Sequence, residues 1–287
     1  MVTVPISVII PTWRRPAILL TTLNAVAHCE PQPAEVVVHI DANDDETEAA
    51  LAAAPLPVRL LHTKTTLGPG GGRNRLMQAA SHDILVSLDD DSRPIDKDFF
   101  RQIMQWTDRH PEYAAFTIPS WIRDETPTDV SHSITESSGF EGCSVVLRRD
   151  AVMAVSGYIP LRYAYGMEET DMALQLLDAG FALARVNSPH VRHDISPGHH
   201  AHPAVDRAWL VNTALLPFLR YPFPYILLLP LKVLRRMAFS LKYGRFGTVC
   251  SGLASIPGTL WHYRELRAPV KCSTMHRYIK LTRSVNR

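Results

Sequence analysis

Four short apolar runs lie between residues 6 and 88: ISVII (6–10), EVVVHI (35–40), VRLL (58–61) and DILVSL (83–88). Segments of helical character separate them. Residues 16–27 space Ile18, Leu19, Leu20 and Leu23 for one buried face, 45–54 is rich in Ala and Glu, and 73–80 follows a glycine run. The runs are apolar on both faces instead of alternating. That pattern belongs to strands buried in a parallel sheet with helices over both sides. Pro11 is expected to stop the first strand. In such open sheets ligands bind beyond the carboxyl ends of the strands, and Asp41 and Asp89–Asp91 directly follow two such ends.

A length of 287 residues allows one large domain or two small ones. Hydrophobic residues at 46% and charged residues at 20% exclude a disordered or low-complexity chain. A net charge of +2 gives no global case for nucleic acid as a partner. Cys29, Cys143, Cys250 and Cys272 form no CxxC pair, which suits reduced thiols in a cytoplasmic protein. The first thirteen residues have no basic region and meet Pro11 early, which reads against a signal peptide. No stretch reaches the roughly 20 uninterrupted apolar residues of a spanning helix. Acidic clusters stop at about residue 205, where Arg, Lys, aromatic residues and Leu take over. The reading divides the chain into a catalytic region, 1–205, and a basic, apolar helical region, 206–287.

The middle of the chain is less regular. Strands are expected at 116–119, 143–148 and 181–186, and a short helix at 150–156. A firmer helix at 170–179 carries Met172, Leu174, Leu176 and Leu177 and stops at Gly180. A His-rich loop, 189–203, follows.

Three constellations carry chemistry. Asp89, Asp90 and Asp91 close an apolar strand; adjacent carboxylates repel one another unless solvated or converging on a cation. Hard divalent cations such as Mg2+ or Mn2+ prefer such oxygen ligands together with substrate phosphates. Residues 66–74 (TLGPGGGRN) read as a glycine loop, 68–72, opening a helix, where free N–H groups and close backbone approach favour a pyrophosphate. No Lys-Ser/Thr follows, so it is not a P-loop, and its late position excludes a dinucleotide fingerprint. Glu168, Glu169 and Asp171 precede or open an amphipathic helix. Carboxylates there either complement the helix dipole or supply a general base for an acceptor hydroxyl. His190, His193, His199, His200 and His202 show no regular zinc spacing, but one of them suits completion of an aspartate-based metal site.

The tail holds two apolar runs, 209–219 and 221–231, separated by Arg220 and flanked by Lys232, Arg235, Arg236, Lys242 and Arg245. Two arrangements suit it equally: a helix lying in a bilayer interface against anionic lipid, or a hairpin packed on the catalytic region.

In this order, the stretches 6–16, 36–45, 67–77, 83–94, 139–158, 165–183 and 191–194 resemble glycosyltransferase family 2. Its members are inverting, nucleotide-sugar-dependent transferases of GT-A fold, an α/β architecture with a mostly parallel central sheet flanked by helices. The resemblance covers roughly residues 5–195. It implies that Pro11, Thr12 and Arg15 frame the nucleotide and that Asp41 recognises base or ribose. Gly70, Arg73, Asn74, Asp89 and Asp90 lie towards nucleotide and sugar. Asp89, Asp91 and His193 are the implied holders of Mn2+ or Mg2+, and Gly142 and Arg148 match an acceptor-side strand. Glu169 aligns with the usual base, an Asp in the family, which leaves Asp171 as a rival. The implied partners are a nucleotide-diphosphate sugar and a saccharide or lipid-linked acceptor, in bacterial polysaccharide or glycolipid assembly. The implied place is the cytoplasm, with peripheral contact at the inner face of the cell membrane. Two other readings compete: a nucleotidyltransferase of similar architecture, and a non-catalytic nucleotide-sugar-binding protein.

Overall fold

The computed structural model describes residues 2–122, 125, 132–163, 165–194 and 202–285. The chain begins β1 (Thr3–Thr12), α1 (Pro16–Ala27), β2 (Gln32–Ile40), α2 (Asp45–Ala50), β3 (Arg59–His62), α3 (Gly68–Ala79) and β4 (Ile84–Leu88). These four strands pair in parallel in the order β3-β2-β1-β4. Next come β5 (Ser92–Pro94), α4 (Phe99–Arg109), β6 (Tyr113–Thr117), β7 (Ser120–Ile122), β8 (Ile134–Glu136), β9 (Ser144–Arg148), α5 (Arg149–Met153), α6 (Glu168–Asp178), β10 (Ala182–Val186) and β11 (Val191–His193). The main sheet continues β9-β6-β10-β8 beyond β4. β9 is antiparallel to both neighbours and β8 is an antiparallel edge, so the sheet is mostly but not wholly parallel. A small second sheet runs β5-β11-β7.

Apolar residues on both strand faces build two cores. Val8 and Ile10 join Leu19 and Leu23 of α1 and Phe99, Phe100 and Ile103 of α4 on one side. Ile9 and Leu85 join Leu76 of α3 and Met172 and Leu176 of α6 on the other. α4, an amphipathic helix, was not among the sequence expectations.

Three expectations are corrected. β1 runs through Pro11 to Thr12. Its pairing with β4 ends at Ile9, so Pro11 lies past the two-sided part of the strand, where a missing N–H breaks no β4 bond. The glycine run is not a loop: Gly70, Gly71 and Gly72 are helical, within α3. Helical glycine costs about 1 kcal/mol against alanine, so propensity argues for a loop. A tertiary contact accounts for glycine inside the helix, because a Cβ on Gly72 would meet the His39 ring at 2.8 Å. Finally, part of the His-rich stretch is strand β11, while His199 and His200 lie outside the described residues.

The tail folds as α7 (Pro203–Arg220), α8 (Leu229–Lys242), α9 (Phe246–His262) and α10 (Cys272–Val285). α7 is buried along its length, and Leu216 and Tyr221 pack with Leu174 of α6 and Met275 of α10. Among the described residues no helix is long and apolar enough to cross a membrane.

Candidate active site

Register brings the distant acids and His193 together. Leu88 of β4 faces Ser144 of β9, so the next residues outward, Asp89 and Cys143, are neighbours across the antiparallel ladder. His193 pairs with Ser92 in the small sheet, and the Asp194 amide donates to the Asp91 carbonyl at 2.9 Å. Donor atoms of Asp89, Cys143 and His193 all lie within 4.8 Å of one another. His193 Nε2 stands 3.2 Å from Asp91 Oδ1.

Arg15, just before α1, donates to Asp90 Oδ1 at 2.6 Å and Asp91 Oδ2 at 2.7 Å. Thr12 Oγ1 donates to the other Asp90 oxygen at 2.8 Å, so Asp90 faces the β1–α1 junction. Burial outweighs the pull of Arg15 and Thr12 and pushes the Asp90 carboxyl up to about 7. Burial also pushes Asp91 upward, but His193 and Arg15 prevail and hold it below the ordinary carboxylate value.

Arg73 is buried and central. Its Nε donates to Ser87 Oγ at 3.1 Å, its Nη2 pairs with Asp89, and its Nη1 is 4.0 Å from Glu168. The guanidinium also lies over the Tyr158 ring, 5.8 Å from the centroid. Burial alone would lower its pKa; Asp89 and the surrounding groups more than reverse that. Gly142 is where these side chains meet, since a Cβ there would lie 2.9 Å from both Arg73 Cζ and Glu169 Oε1. Burial first, then the neighbouring Glu169 charge, raises the Glu168 carboxyl above its ordinary value. Burial likewise raises Glu169, against the pull of Arg73. One guanidinium therefore joins the aspartate-bearing strand end to the α6 carboxylates.

Other expected site residues are engaged in holding the frame. Asp41 accepts from the Leu67 and Gly68 amides at 2.8 and 2.9 Å, fixing the start of α3. Asn74 grips both backbone groups of Tyr158, donating at 2.7 Å and accepting at 2.8 Å. Gly70 packs against Tyr158, where a Cβ would meet the Tyr158 Cβ at 3.2 Å. Pro11 lies under Gly72. Arg148 donates to the carbonyls of Tyr113 and Thr107 at the far end of β9, away from Gly142. Asp171 points from α6 into the tail, where Arg220 donates to both its oxygens at 2.6 and 3.1 Å. It is thus occupied on the face that packs on α7. His190 binds Asp96, remote from the strand-end acids.

Several contributors carry no local signal. Cys143 joins Asp89 only through the β4–β9 ladder. Tail residues support the loop before α6: Asn212 donates to the Tyr163 and Tyr165 carbonyls, each at 2.9 Å. Trp209 covers Gly166, which has φ +89°. Met167 at φ +74° and Tyr165 at φ +80° complete a strained entry into the helix carrying Glu168 and Glu169.

The family model described as Glycosyl transferase family 2 matches residues 7–189. Among curated proteins none matches the chain. Solved structures are similar in fold. S. aureus TarS is 18% identical with a TM-score of 0.55; the match covers 73% of this chain but 40% of TarS. The 1–349 portion of S. aureus TarS in complex with UDP-GlcNAc gives 16% identity, TM-score 0.59, and coverage of 90% and 82%. A mannosyltransferase from Pyrobaculum calidifontis, PcManGT, in complex with GDP-Man and Mn2+, gives 14% identity, TM-score 0.57, and coverage of 97% and 87%. The chain spans less than half of the first of these proteins.

Proposed function

The chain belongs to glycosyl transferase family 2, and on that premise we propose that it moves a sugar from a nucleoside-diphosphate donor to a hydroxyl acceptor, inverting the anomeric carbon. The observation that carries this is the linkage of Asp89 through Arg73 to Glu168, with Glu169 against the same guanidinium. A cation-binding end and a proton-accepting end are then joined by one guanidinium. Pro11, Thr12, Arg15, Asp41, Gly70, Asn74 and Asp90 frame the nucleotide side; most act through the backbone they fix.

A divalent cation suits Asp89 and His193, whose donor atoms lie within 4.8 Å of each other, with Asp91 3.2 Å from His193 Nε2 as a further carboxylate. When bound, it supplies positive charge that offsets the negative charge developing on the departing diphosphate. Arg73 adds a permanent charge nearby. Glu169 takes the acceptor proton, because Asp171 is held by Arg220 while Glu169 stands beside Gly142 and Arg73. A single displacement needs no protein nucleophile.

We assign transfer to residues 1–205 and acceptor access to 206–287. The exposed faces of the tail support a lipid-linked acceptor. Leu227, Leu231 and Leu234 are 67%, 52% and 58% exposed at helical spacing, beside Lys232 and Arg235. Glu265 is the one acidic residue after Asp206 in the sequence. Such a surface suits the anionic inner leaflet of a cell membrane.

The test is nucleoside-diphosphate release across a panel of nucleotide sugars with Mn2+ or Mg2+. D91A and E169Q are each expected to lose about 100-fold or more in kcat, the scale of a lost general base or charge-stabilising group. Full turnover in both variants overturns the assignment. A product retaining the donor's anomeric configuration overturns inversion.

A further inference from the structure

We propose that Cys143 is a ligand of the divalent-cation site and that its thiol makes this site select thiophilic cations over Mg2+. The proposal rests on reading the strand-end acids and His193 as a cation site, and it adds a donor and a preference to that reading. Three strand ends supply the donors: Asp89 after β4, Cys143 before β9 and His193 at the end of β11. The Leu88–Ser144 and Ser92–His193 register fixes all three, so their meeting is a property of the sheets and not of mobile side chains. Their donor atoms are mutually within 4.8 Å, close enough for one ion to engage them after small side-chain adjustments.

The set is chemically mixed: one carboxylate, one imidazole and one thiol. Mg2+ takes oxygen ligands and gains little from sulfur. Zn2+ and Co2+ accept all three donor types, and with Asp91 beside His193 the set still leaves coordination to substrate oxygen when the ion is five- or six-coordinate. The ligand form is the thiolate, so binding transfers the Cys143 proton to solvent and depends on pH. Cys29, the other buried thiol, packs in the α1 core near the Asp96 backbone, and Cys250 and Cys272 are exposed in the tail. None of these belongs to the cluster.

Co2+ reads the question directly through its thiolate-to-metal charge-transfer absorption. In the full chain carrying C29S, C250S and C272S, Cys143 is the sole thiol. Adding Co2+ is expected to produce the band at one ion per chain, and adding C143S is expected to abolish it. In C143S, Zn2+ affinity measured by a chelator competition should fall at least about tenfold, since even outer-shell losses reach that range. Mg2+ affinity should hold within twofold. A Co2+-treated sole-thiol chain with no band overturns the proposal, as does a band of undiminished strength when C143S alone is introduced into the otherwise unaltered chain. The sole-thiol spectrum requires no substitution at Cys143, so a folding defect in C143S leaves the test standing. Transfer with Mn2+ but no thiolate band rejects the thiol alone; a band without transfer from any nucleotide sugar rejects the function instead.

Discussion

Arg73 donates to Ser87 and pairs with Asp89 while its other terminal nitrogen lies 4.0 Å from Glu168. Removing the Arg73 guanidinium strands the acids around it, at a cost of about 3–5 kcal/mol. Glu168 gives the site a measurable signature. Burial and the adjacent Glu169 raise its folded-state pKa, so the native chain keeps a proton that the unfolded chain releases at about pH 4.3. Stability is therefore lost as pH rises from the unfolded value to the folded one. E168Q carries no such burden. Its denaturation midpoint should match wild type at pH 4 and exceed it at pH 8, by about 3 °C or more. A gap that is constant with pH, or largest in acid, contradicts a raised Glu168.

α6 ties the catalytic region to the tail through Asp171 and Arg220, both buried. R220A leaves Asp171 as an uncompensated buried charge, retaining only Gln175 at 2.7 Å, and is expected to cost about 3 kcal/mol. The double variant D171N/R220M should recover more than half of that in urea unfolding. Simple addition of the two single losses would show that the pair does not act as a unit. Local pattern revealed α1 to the residue and the parallel half of the sheet, because those signals are periodic and nearby. It revealed β9 as a strand but not its antiparallel direction, since pairing between segments some 55 positions apart is decided by the whole sheet. The same limit hid Cys143. Asp171 and Glu169 were indistinguishable in sequence, both being acids in one helical turn. Their separation comes from a partner, Arg220, 49 residues later. The glycine run misled because glycine at 72 answers to the close approach of His39 and Pro11 and not to a loop conformation.

At the scale of the whole molecule, the tail has two different faces. α7 is buried between α8 and α9 on one side and residues such as Ile159 and Leu174 on the other, and Asp206 anchors α8 and the start of α9 through Arg236 and Arg245. The opposite side of α8 presents leucines to solvent, which is costly unless something covers them. Contacts connect this face to the site: Arg236 lies 4.9 Å from the exposed Phe239 ring centroid and 5.6 Å from that of Trp209, and Trp209 covers Gly166 before α6. A surface held by α8 thus sits three contacts from Gly166, two residues before the first of the α6 carboxylates. Each Lys or Arg near an anionic leaflet contributes about 1 kcal/mol. Burying a leucine fully adds roughly 1.5–3 kcal/mol. Substituting Leu231 and Leu234, both exposed, removes the second contribution without disturbing a core. The full chain should therefore sediment with phosphatidylglycerol vesicles, and less with phosphatidylcholine alone. L231E/L234E should weaken vesicle binding at least about tenfold with no change in melting temperature. Equal sedimentation of the two proteins would mean that α8 does not meet the bilayer, and a lipid-linked acceptor would then lose its structural support.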